Sequence, residues 1–110
     1  YASAGWVDLT SRADDEVPAK FIADYMAEFD KPASGFAMLG YTAADTLVRA
    51  LEAAGPDLTQ DGFLKGMESL SYFDALTDTQ ITYAADDHRG TDEIVISVVE
   101  NGKWRELSRQ

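Results

Sequence analysis

The sequence predicts a mixed α/β chain: about three helices, then a terminal antiparallel hairpin. Three observations carry this. Apolar residues recur at intervals of three and four through residues 17–70. The dipeptide Asn101-Gly102 separates two strand-like runs. A short run rich in β-favouring residues precedes the helices. The coarse order is β-α-α-α-β-β-β.

The first strand is expected at residues 5–10, GWVDLT, where Trp6, Val7 and Thr10 favour extended backbone. Asp14-Asp15-Glu16 followed by Pro18 is a helix-start signal, because acids complement the positive end of the helix dipole and proline fits the first turn. Val17, Phe21, Ile22, Tyr25, Met26 and Phe29 then form one helical stripe. Pro32 disfavours helical backbone at Lys31 and ends it.

A second helix is expected over residues 35–54, with Phe36, Leu39, Ala43, Leu47, Val48, Leu51 and Ala54 in helical register. Gly55-Pro56 closes it, with a left-handed cap expected at Gly55. Thr59 can cap a third, shorter helix whose inner face is Phe63, Leu64, Met67 and Leu70. Leu58 and Phe63 stand at the positions of a hydrophobic staple. Gly62 and Gly66 each weaken it by about 1 kcal/mol relative to Ala, so it needs tertiary support. Beyond Tyr72 come a short strand at residues 80–83, a polar loop Asp86-Asp87-His88-Arg89-Gly90, a strong strand at 94–99 and its return at 103–107. IVISVV is apolar on both faces except at Ser97, so cover on both sides is expected.

Composition narrows the function classes. The 110 residues fit one small domain, and 45% of them are apolar, too many for disorder. With no cysteine, a disulfide framework and a thiolate zinc site are excluded. Twenty acids against nine Lys and Arg give a net charge of −11, which argues against nucleic-acid partners and anionic membrane surfaces. No apolar run is long enough to span a bilayer. The opening residues, without an initiator methionine, read like the interior of a longer protein, so a fragment is expected.

Chemistry-bearing patterns are sparse. Asp86, Asp87 and His88 form a carboxylate–histidine cluster that a small hydrolase or metal site could use, though neighbours in extended backbone point apart and a solvated turn explains them more simply. No G-x-S-x-G and no G-x-G-x-x-G occurs. No metal or cofactor is expected. The acidic runs read as helix N-termini and solvated faces. Phe36, Met38 and Tyr41, with Leu39, gather aromatic and aliphatic side chains at a helix start, as apolar pockets do; core packing is the plainer reading of most of them.

The order of these signals resembles the C-terminal part of periplasmic solute-binding proteins of ABC importers, of the branched-chain amino-acid-binding, or leucine/isoleucine/valine-binding, type I family. The resemblance rests on Phe21 and Tyr25, Phe36, Tyr41 and Ala43, Ala53-Ala54-Gly55, Asp87-His88-Arg89-Gly90, and Asn101-Gly102-Lys103-Trp104. It covers nearly the whole chain. It implies a longer bilobal α/β protein that holds its ligand between two lobes joined by crossing strands. Residues 1–13 would be a strand of the second lobe and a hinge crossing. Residues 14–80 would be the helical part of the first lobe, 81–92 a further crossing and loop, and 93–110 the closing hairpin of the second lobe.

The same resemblance implies a non-enzymatic, periplasmic or otherwise extracytoplasmic protein that captures an amino acid or related small carboxylate or amide and docks on a membrane permease. Phe36 would face the ligand, with Met38 and Tyr41 near it, and Asp87, His88, Arg89 and Gly90 would be structural at the hinge. A sensory or regulatory module of the same fold is the alternative. The chain departs from the family in lacking the N-terminal lobe core and the groups that hold the ligand's charges. Strand edges left bare by the missing sheet are expected to permit self-association.

Overall fold

The computed structural model describes residues 1–110. It is α/β, with three α-helices and two small antiparallel sheets. The helices are α1, Glu16–Phe29, α2, Gly35–Ala54, and α3, Gln60–Glu68. Strands β1, Ala2–Ala4, β5, Val95–Glu100, and β6, Lys103–Arg109, make one sheet in the order β1-β5-β6. Strands β2, Ser71–Asp74, β3, Thr79–Ala84, and β4, Asp87–Gly90, make the other in chain order.

The expected first strand is corrected. Extended pairing occurs at Ala2–Ala4, and residues 9–12 form a 3₁₀ turn instead. Asp8 causes the change: its carboxylate accepts from the Thr10 backbone N–H at 3.0 Å, and its carbonyl accepts from the Ser11 N–H at 3.2 Å. These local bonds compete with a sheet ladder.

The helices follow the sequence closely. The Ser34 hydroxyl accepts from the Ala37 N–H at 3.3 Å, and the Thr59 hydroxyl from the Gly62 N–H at 3.0 Å, so both caps satisfy otherwise orphaned donors. Asp30 turns left-handed (φ 50°, ψ 38°) and ends α1 ahead of Pro32. Gly55 has positive φ (81°) but extended ψ (−178°), so α2 leaves into open chain and not into a left-handed turn. Leu70, expected on the inner face of α3, lies just past its end and is buried there.

The polar loop expected at residues 86–90 is corrected too. Ala85 and Asp86 make a tight turn, and Asp87–Gly90 pairs with β3 as an edge strand. Charged side chains suit a sheet edge, where they face water and discourage further pairing. β2 had no expected counterpart. Its register with β3, Tyr72 opposite Ile81, depends on residues distant in pattern.

The closing hairpin forms as expected. Asn101 and Gly102 both take positive φ (53° and 77°), the requirement of its two-residue turn. Cover on both faces is incomplete: Val95 is buried, but Ile94 and Val99, which point to opposite faces, are both half exposed.

The core is small. Leu9, Met38 and Leu76 are its centre, with Phe21, Ile22 and Ala33 packed around them. The two sheets meet at the turn between β2 and β3. There the Val7 N–H donates to the Thr77 carbonyl, the Thr79 hydroxyl to the Gly5 carbonyl, and Arg12 Nη1 to the Ala75 and Leu76 carbonyls. Arg109 closes the same junction, bonding Asp78 (Nη2 to Oδ2, 2.6 Å), Glu93 (3.1 Å) and Glu106 (3.2 Å). The hydrogen bond to Glu106, aided by that to Asp78, raises the Arg109 pKa and outweighs partial burial. The body measures 51 × 35 × 19 Å with a radius of gyration of 15.7 Å. A compact chain of this length would give about 13 Å, so the body is elongated.

Candidate functional site

The residues singled out from sequence do not meet in one place. On a helix, positions 36, 38 and 41 are spread around the axis. Phe36, in the first turn of α2, is 87% exposed, with its ring on open solvent. Met38 is fully buried between Leu9 and Leu76, so it works in the core. Tyr41 points to a third environment, a cleft beside α1.

That cleft encloses about 540 Å³, a size that suits a small molecule. One wall is an aromatic ladder on α1. Phe21 and Tyr25 have ring centroids 5.9 Å apart, and Tyr25 and Phe29 4.7 Å. Their spacing of four brings each ring onto the next turn of the helix. Tyr41 crosses from α2 and meets Phe21 edge-on at 5.3 Å. Phe73, on β2, also lines the cleft and is 57% exposed.

The polar parts of the cleft are arranged with unequal freedom. The Lys20 ammonium pairs with Asp24 on the next turn, which raises the lysine pKa. Arg49 donates to Asp45 at 2.7 Å, which raises its own pKa, and its guanidinium lies 4.1 Å from the centre of the Tyr72 ring. Asp74 is fully engaged: it accepts from the hydroxyls of Thr42 (3.0 Å) and Thr77 (2.7 Å) and from the Leu76 N–H (2.9 Å). Beside it the Tyr72 hydroxyl meets Thr46 at 2.7 Å, and burial pushes its pKa up. Thr42 and Thr46 lie one turn apart on α2 and meet Tyr72 and Asp74, alternate residues of β2. This polar seam holds α2 on the sheet. Glu16 and Glu28 also line the cleft and have no cationic partner.

The segment 86–90 is organised otherwise. His88 Nε2 lies 3.0 Å from Glu68 Oε1 at the end of α3. Asp87 accepts from the Arg89 guanidinium at 3.0 and 3.1 Å, which holds its carboxyl below the usual carboxylate range. Arg89 also reaches Asp92 at 3.0 Å. Gly90 sits against the Tyr83 ring, where a Cβ would come within 2.8 Å of the phenol oxygen. Asp87 and His88 are thus held on β4 by different partners. Adjacency in sequence is not convergence in space, and the segment ties α3, β3 and the following loop together.

Sequence reasoning missed the cleft as a unit. Phe21, Tyr25 and Phe29 were legible as a helical stripe, but a stripe on one helix does not tell which face of its neighbour it meets. Asp45, Arg49 and Phe73 gave no signal of their own.

An open aromatic concavity with a charged rim is a surface suited to holding a small molecule. The sequence profile of the periplasmic binding protein family matches residues 1–103, and the chain belongs to that family. Comparison with curated proteins and with solved structures gives no match. The family is generally one of extracytoplasmic solute binders that do no chemistry on their ligands. No helix here is long and apolar enough to cross a membrane.

Proposed function

We propose that this chain is part of the solute-capturing component of an ABC importer, working outside the cytoplasm. Its ligand is a small amino acid or a related carboxylate or amide, held between two lobes. The single observation that carries this reading is the family match over residues 1–103. The division of the strands into two separate sheets supports it. On this reading β1, β5 and β6 belong to one lobe, the helices with β2–β4 to the other, and the segments around residues 11–13 and 81–92 lie near the hinge.

The mechanism is capture by closure. The ligand adds contacts only when the lobes close, so it shifts the population toward the closed form that the membrane permease recognises. Phe36 supplies one apolar wall. Its exposed position at the entrance of α2 supports this, because a large ring kept in water gains most by meeting a ligand.

The test is calorimetric titration of the protein that carries this chain with a panel of amino acids, alongside its Phe36→Ala variant. Burying a phenylalanine ring is worth about 1.5–3 kcal/mol, so affinity should fall by roughly ten- to a hundredfold. Stability should stay within about 0.5 kcal/mol, because the ring is exposed. Unchanged affinity would remove Phe36 from the site, and no binding by any amino acid or amide would sink the ligand class.

A further inference from the structure

We propose that the cleft between α1 and α2 is a second ligand site, one that takes a small organic cation with an apolar body. The inference does not rest on Phe36, which is not part of this cleft. Three features converge on a cation.

The first is charge. Five carboxylates line the cleft against two cations. Both cations are already bound, Lys20 to Asp24 and Arg49 to Asp45. The engaged carboxylates cannot offer much, but Glu16 and Glu28 are free to meet an incoming positive group. An anionic ligand would find no unpaired cation here and would be repelled.

The second is the aromatic wall. Phe21, Tyr25 and Phe29 meet at tilted angles of 44° and 47°, and since Phe21 and Tyr25 are only partly buried and Phe29 is exposed, ring surface remains open along the helix. Ring faces attract cations through their quadrupole, most strongly where water is displaced. The third is placement. Glu28 lies one helical turn beyond Asp24 and is the neighbour of Phe29, and Tyr25 is one turn before Phe29. A charged head can thus reach a carboxylate at the rim while its apolar body lies on the rings. A volume of about 540 Å³ accommodates one such molecule.

The experiment uses the 110-residue chain and three matched probes: phenethylammonium, neutral 2-phenylethanol and anionic phenylacetate. Binding is followed by NMR shifts of the probe and of the aromatic protein signals. The ammonium should bind about tenfold tighter than the alcohol, and phenylacetate weakest. Glu28→Gln should remove most of that preference. Glu52→Gln, on α2 but outside the cleft, should leave it intact. Tyr25→Leu should weaken the ammonium and the alcohol together.

Equal binding of ammonium and alcohol would overturn the proposal. So would equal losses in Glu28→Gln and Glu52→Gln, which would trace the attraction to the −11 net charge alone. Concentration-dependent dimerisation abolished by Phe29→Glu, with no ammonium binding, would assign the face to a second copy and also overturn it. Glu28 is exposed, so its variant stays folded and the test survives a failure of Tyr25→Leu to fold.

Discussion

Gly66 and Gly40 look alike in sequence, each a glycine inside a helix, yet the structure separates them. A Cβ at Gly66 would lie 2.6 Å from the Ala50 carbonyl oxygen and 3.0 Å from the Ala54 nitrogen, both backbone atoms of α2. The glycine is what lets α3 lie against α2. A Cβ at Gly40 would meet nothing within 4 Å. Gly66→Ala should therefore cost about 1–3 kcal/mol in urea denaturation, as overpacking does. Gly40→Ala should stabilise by about 0.5–1 kcal/mol through helix propensity. The same sign for both would contradict the packing. The same distinction limited the reading of the site from sequence. Phe36, Met38 and Tyr41 were legible as large side chains at a helix start, but water, core and cleft are assigned by neighbouring elements and not by residue type.

At the scale of elements, legibility tracked locality. Thr59 and the pair Asn101-Gly102 act within a few residues, and each did in the structure what its chemistry dictates. The strand expected at residues 5–10 failed because a local bond from Asp8 outcompeted a ladder that needs a distant partner. β4 was missed because an edge strand tolerates charges that otherwise mark a loop.

The hairpin offers a test of its own. Arg105 donates to Glu100 at 2.7 and 2.8 Å, which lowers the Glu100 pKa. A depressed folded pKa contributes stability above the unfolded value, lost as pH falls through the folded one. In a double-mutant cycle of Glu100→Gln and Arg105→Leu, the coupling should be constant above the ordinary carboxylate pKa of about 4.3 and should vanish as pH falls well below it. The pair is exposed, so the coupling should be small and weaken with salt. A coupling that persists at pH 2 would show that it does not arise from the ion pair.

For the whole molecule the decisive fact is thin burial. Only 14 of 110 residues are buried, while large apolar side chains such as Phe29, Leu47, Val48 and Phe73 remain exposed. Few core contacts leave the polar junction at the β2–β3 turn a large share of the coupling between sheets. Arg109, its side chain 28% exposed, is the hub and has three carboxylate partners. Arg109→Leu should cost about 1–3 kcal/mol by urea denaturation. Asp78→Ala should cost less in that background than alone, because the two share one network. Arg109→Lys should recover only part of the loss, since an ammonium cannot form the forked contacts. Strictly additive costs would show that the hub is not shared. None of this was visible in sequence, where Asp78, Glu93, Glu106 and Arg109 are four unremarkable charges.

The pairing of β1 with β5 sets an order of events in time. Ala2 lies opposite Ser97 and Ala4 opposite Val95, so nearly the whole chain is the loop that this contact closes. Closing so long a loop carries an entropic cost that local contacts do not. The helices, the β2–β3–β4 sheet and the β5–β6 hairpin can all form from near neighbours, whereas β1 has to wait for β5. β1 is made well before the partner it pairs with, which makes the β1–β5 seam the slow step in assembling this part of the fold.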